Sequence, residues 1–225
     1  MFLRRMVIVA LALALALQEK NDPAFAPVTD DPRLPRVLLI GDSISIGYTL
    51  PVRKALEGKA NVHRIWENGG PTRNGIEKID AWLGPSTELR AGKGKWDVIH
   101  FNWGLHDLKY VKDKPQVPIE EYEKNLRELV RKLKATGAAL VWCSTTPVPE
   151  GDQRPVRKAE DAPKYNAVAR TVMEENGVAI NDLYAFAIPK LKEIQLPSNV
   201  HYTPKGYRSL GEEVARAIQA ALQKK

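Results

Sequence analysis

Short apolar runs alternate with helical patterns from residue 36 to the end of the chain, and no other feature narrows the fold as far. The runs are Arg36 to Ile40, Val62 to Trp66, Trp96 to Phe101, Ala138 to Cys143 and Val178 to Asn181, mostly followed by Gly, Asn, Ser or Thr. Between them Leu50 to Leu56, Ile76 to Leu83, Ile119 to Lys134, Ala162 to Asn176 and Tyr184 to Glu193 read as helices. Leu126, Leu129, Val130 and Leu133 recur at three- and four-residue spacing, which gives that helix one buried stripe. Thr203 before Pro204 opens a last helix, with Leu210, Val214, Ala217, Ile218 and Leu222 along one face. Repeated strand-helix units predict an α/β fold: a three-layer, doubly wound, flavodoxin-like sheet of five parallel strands with helices on both faces. Sites in such sheets form at the carboxyl ends of the strands.

A chain of 225 residues, 44% of them hydrophobic, supplies one domain with a proper core. That domain is expected over 36–225. Arg4 and Arg5 precede an unbroken apolar stretch from Met6 to Leu17, too short for a membrane span and alternating small and large residues. Residues 1–17 therefore read as a secretory signal peptide, with Ala12-Leu13-Ala14 or Ala14-Leu15-Ala16 as the cleavage site, and the protein as secreted or periplasmic. No stable membrane insertion is expected after cleavage. Residues 18–35 hold Pro23, Pro27, Pro32 and Pro35 and read as an N-terminal tether. Cys143 is the only cysteine, which excludes an internal disulfide, and its apolar setting marks it as a buried filler. The formal charge of +7, or +5 without Arg4 and Arg5, is dispersed among acids, so a solvated surface is expected and a nucleic-acid groove is not.

The chemistry-bearing residues fall at the predicted strand ends. Gly41-Asp42-Ser43 follows the first strand, Asn68-Gly69-Gly70-Pro71-Thr72 the second, and Asn102-Trp103-Gly104-Leu105-His106-Asp107 the third. His201 stands just before the last helix. A serine hydroxyl needs a base within hydrogen-bond reach and donors for the oxyanion it creates. His201 is the natural base, because the loop before the last helix shares an edge of the sheet with the loop after the first strand. Donors at hand are the Ser43 N–H at a helix start, the Gly70 N–H and a side chain from the third loop.

Gly41-Asp42-Ser43-Ile44-Ser45, Gly69-Gly70, Gly104-Leu105-His106-Asp107 and Val200-His201 resemble the four sequence blocks of the SGNH, or GDSL-type, hydrolases, over roughly Arg36 to Leu222. The resemblance implies Ser43 as nucleophile, His201 as base, and an oxyanion hole from Ser43, Gly70 and the position held by His106. It departs from the family twice. His106 stands where the family has asparagine, and Asn102 is the alternative donor. Ser198 stands where the family's aspartate precedes the histidine by three, so a Ser-His dyad aided by Ser198 is the expected arrangement. Asp42 and Asp107 are expected in supporting roles, and Arg73 and Trp103 as candidate substrate contacts. For Trp103 and Trp66 a place in the core competes with a sugar-stacking platform.

These features imply a carboxylic ester hydrolase acting on small acyl esters, acetyl esters of carbohydrates included, without metal or organic cofactor. Two rivals compete: a catalytically silent carbohydrate-binding descendant of the fold, motivated by Ser198, and a metal-dependent phosphoesterase suggested by Gly104-Leu105-His106-Asp107. The second lacks ligands, since the chain has four histidines and two lie within predicted strands. Phosphate-loop and Gly-x-Ser-x-Gly patterns are absent. Nothing in the sequence specifies an oligomeric state.

Overall fold

Val37, Leu39 and Ile40 lose all solvent exposure, as a strand at the middle of a two-faced sheet must. They belong to β1 (Arg36–Ile40) of a computed structural model that describes residues 22–84, 94–151 and 154–224. Its parallel neighbours are β2 (Asn61–Arg64) and β3 (Val98–Phe101), and β6 (Ala139–Cys143) and β7 (Ala179–Asn181) extend the sheet. The order is β2-β1-β3-β6-β7, every pairing parallel. The winding therefore reverses between β1 and β3, the switch point at which doubly wound sheets open a crevice. The expected flavodoxin-like sheet is the one observed.

The principal helices are α1 (Ser43–Ala55), α2 (Thr72–Leu83), α3 (Ile119–Lys134), α4 (Asp161–Glu175) and α7 (Pro204–Gln223). The periodicity of α3 is legible residue for residue. The predicted helix over 184–193 is instead α5 (Leu183–Ala187), a 3₁₀ turn at Ile188–Lys190 and α6 (Leu191–Ile194), because Pro189 denies the ladder a donor. The hairpin of β4 (Tyr110–Val111) and β5 (Lys114–Pro115) has no counterpart in the sequence reading. Lys112 and Asp113 make its turn with positive φ, where Asn-Gly would have announced it.

The expected signal peptide lies outside the described residues. Residues 22–35, expected as a tether, lie against the β2 edge. Asn61 exchanges side-chain hydrogen bonds with the backbone of Asp31 and Leu34, Asp30 holds His63 and Arg36, and Arg53 donates to the carbonyls of Pro23 and Ala26. Apart from one 3₁₀ turn at Pro23–Phe25, the prolines preclude helix but leave carbonyls free to accept, so a strap forms.

Candidate active site

β1 ends at Ile40, and Asp42 caps α1 by accepting the Ile44 N–H at 2.9 Å. This cap places Ser43 at the first helical position, where the backbone N–H has no partner within the helix. Gly69 N–H donates to the Gly41 carbonyl at 3.0 Å and draws the loop after β2 against the same turn. Thr203 accepts the Gly206 N–H to cap α7, which fixes the preceding loop and His201.

Ser43 and His201 meet: Nε2 lies 2.9 Å from Oγ across 158 positions of sequence. The other ring nitrogen, Nδ1, lies 2.7 Å from Asn199 Oδ1, and the same oxygen accepts the backbone N–H of His201 at 3.0 Å. A backbone N–H can only donate, so that atom of Asn199 is the amide oxygen and Nδ1 must carry the proton. Nε2 is then left as an acceptor facing the serine hydroxyl. Burial holds the His201 pKa below the usual imidazole value; Asp42 opposes this and Arg157 adds to it.

Ser198 takes no part. It is exposed, with φ of 49° in the turn that links Leu196 to Asn199, and no hydrogen bond joins it to His201. The orienting group is Asn199, which the sequence reading missed by looking three residues before the histidine instead of two. An asparagine that accepts an N–H two residues on is an ordinary Asx turn, and that was the available signal.

The oxyanion candidates are sorted as plainly. His106 is half-buried, its pKa is lowered by burial first, and its charge interacts with Asp42, Arg157, Lys109 and His201. Burial favours its neutral form, and no hydrogen bond among the described residues engages its ring nitrogens. Asn102 is not an alternative: its Nδ2 donates to the Cys143 carbonyl at 2.7 Å and faces Thr145 Oγ1 at 3.4 Å, tying β3 to β6. Gly70 has the left-handed φ of 59° that favours glycine, but its N–H donates to Asn68 Oδ1 at 2.9 Å and is not free in this state. Over its α-carbon stands Asn74 Nδ2, which a β-carbon at Gly70 would meet at 2.4 Å and which no side-chain hydrogen bond engages among the described residues.

Asp42 supports Ser43 through the cap. Asp107 supports the Gly70 loop, its Oδ1 accepting the N–H of Thr72 at 2.8 Å and its hydroxyl at 2.5 Å. Burial nonetheless pushes the Asp107 carboxyl up to about 7. Arg73 is not a substrate clamp, because it forms a bidentate pair with Glu121 at 2.6 Å that joins α2 to α3. Trp103 is not a substrate contact either: it is fully buried against Gly75, and its carbonyl accepts the Tyr122 hydroxyl. Trp66 is 60% exposed on the loop after β2, against the expectation of a core residue. Cys143 is buried, as expected of a filler, and burial pushes its thiol up.

A serine and a histidine that meet above the switch point of a doubly wound, flavodoxin-like sheet form a constellation suited to acyl transfer. Residues 39–209 match the model of the GDSL-like Lipase/Acylhydrolase family. The chain belongs to that family and is a carboxylic ester hydrolase. Solved structures share its fold. An acetyl xylan esterase, AlAXEase, superposes with a TM-score of 0.66 at 17% identity, over 81% of this chain and 99% of that one. The lipase/acylhydrolase from Enterococcus faecalis gives 0.65 at 18%, over 83% and 96%. An acetylxylan esterase from Geobacillus stearothermophilus gives 0.62 at 19%, over 82% and 94%. No curated protein matches the sequence.

Proposed function

We propose that the chain is an exported serine esterase for small acyl esters, acetyl esters of carbohydrates among them, and that Ser43, His201 and Asn199 act as one unit. The observation that carries this reading is the hydrogen-bonded line from Ser43 Oγ through the ring of His201 to the amide oxygen of Asn199. His201 Nε2 takes the Ser43 proton as Oγ bonds to the ester carbonyl carbon. The oxyanion is held by the Ser43 N–H and the His106 ring, with the Asn74 amide as the donor on the Gly70 side. The ester C–O bond breaks and the alcohol leaves with the proton from His201. Water then attacks the acyl-enzyme, gives its proton to His201, and the acid departs as Ser43 is restored.

The carbohydrate preference draws on Trp66, an exposed indole suited to a sugar face, and on the acetyl xylan esterases that share the fold. Hydrolysis of p-nitrophenyl acetate by the protein lacking its leader, with Ser43→Ala and His201→Ala alongside, tests the mechanism. Both variants should lose at least about 10³-fold in kcat, and retained turnover in Ser43→Ala would sink the assignment. His106→Ala should cost about 10²-fold. A series of acetylated xylo-oligosaccharides against acyl chains of increasing length tests the substrate class, and faster turnover of the long chains would refute it.

A further inference from the structure

Arg157 lies in the segment between β6 and α4 and is 9% exposed. Its Nε donates to the Leu105 carbonyl at 2.7 Å, and Nη1 reaches the Pro155 carbonyl at 3.5 Å. A guanidinium has five N–H donors, and a buried one needs either an anion or enough acceptors. Arg64, equally buried, has enough: the carbonyls of Ile65, Glu67 and Gly41, the Thr49 hydroxyl, and the Phe25 ring beneath it. Arg157 has only the two, and among the described residues no carboxylate pairs with it. Asp42 is the one acid whose charge it feels, and that carboxylate already caps α1.

The position matters as much as the missing anion. Leu105 immediately precedes His106, and Lys109, half-buried and likewise without an ion pair, follows three residues after it. The charge of Arg157 is felt at His106, Lys109 and His201. Two cations without a carboxylate partner among the described residues thus lie beside the proposed donor, His106.

We propose that Arg157, with Lys109 beside it, forms a subsite for a carboxylate carried by the substrate, so that the enzyme selects negatively charged esters over neutral ones of equal size. The proposal rests on the esterase reading of Ser43 and His201. A planar guanidinium takes a carboxylate in bidentate fashion, and the largely buried Arg157 keeps Nη2 for it, without a partner among the described residues. The carboxylate can belong to the acyl group, as in a dicarboxylic half-ester, or to the alcohol, as in an acetylated uronic acid; the recognition is the same.

Two matched pairs separate these sources: p-nitrophenyl hemisuccinate against p-nitrophenyl butyrate, and the acetylated methyl glycoside of galacturonic acid, with its carboxylate free, against acetylated methyl galactoside. The unmodified enzyme should favour the acidic member of one pair by about 10-fold or more in kcat/KM, and that pair identifies the charged side. Arg157→Met should abolish the preference mainly by raising KM for the acidic ester, and Arg157→Lys should retain part of it. Equal losses on acidic and neutral esters in Arg157→Met would make Arg157 a clamp for the Leu105 loop and overturn the proposal. So would an unmodified enzyme indifferent within both pairs, a result that stands even if Arg157→Met fails to fold. Activity on p-nitrophenyl acetate without acidic preference removes this inference alone, whereas inactivity on every ester removes the esterase reading with it.

Discussion

In the proposed mechanism an amide oxygen at Asn199 does for His201 what a carboxylate does in the more familiar triad, except that it supplies no charge. It fixes the tautomer but does little to stabilise the imidazolium. Asn199→Ala should therefore lower kcat by about 10-fold or more while KM stays nearly constant, since the ring loses its fixed tautomer and orientation but no contact to substrate is removed. Asn199→Asp should move the acid limb of kcat/KM to higher pH, because a carboxylate favours the charged ring; an unmoved limb would argue against the contact. In the unmodified enzyme activity requires the neutral base, so it is present above the His201 pKa and lost as pH falls through it. Burial lowers that pKa, so the midpoint should lie below the usual imidazole value. Ser43, His201 and His106 were legible because chemistry singled them out. Asn199 was not, since its role depends on a turn closed by its own side chain.

Elements were legible where one face is buried and obscure where contacts override propensity. The helical stripe of Leu126, Leu129, Val130 and Leu133 delivers α3 directly. By contrast α1 begins at Ser43, well before the expected Leu50, although Ser45, Gly47 and Pro51 are poor helix formers. Packing against α7 holds it: a β-carbon at Gly211 would meet that of Pro51 at 2.4 Å, and one at Gly47 would meet the Tyr207 ring at 2.2 Å. Gly211→Ala should cost about 1–3 kcal/mol in a urea melt, despite Ala's higher helix propensity. The first turn of α2 is tied to Asp107, whose carboxyl folding raises from 3.8 to about 7. A group raised by folding stabilises below its unfolded pKa, and that contribution fades as pH rises through the folded one. Stability should thus fall between about pH 4 and about pH 7 on this account, and Asp107→Asn should flatten that stretch of the profile.

At the scale of the molecule, one five-stranded sheet, with the small β4–β5 hairpin beside it, organises the described residues, and hydrogen bonds to Asn61 make the strap over residues 22–35 part of that body. Export predicts that protein recovered from the periplasm or medium begins at Leu15 or Leu17 on N-terminal sequencing; an intact Met1 on all of it would refute the leader. The hydrogen bond between Ser43 and His201 spans 158 positions, and this separation has a consequence in time. A chain emerging from the ribosome carries its nucleophile early, its oxyanion loops in the middle and its base almost last. If Ser43 and His201 act as proposed, the serine hydroxyl has no proton acceptor until α7 docks, and C-terminally truncated fragments should be inert however much of the sheet has formed. Hydrolysis reports completion of the fold, and turnover can serve as a clock for the final step of refolding.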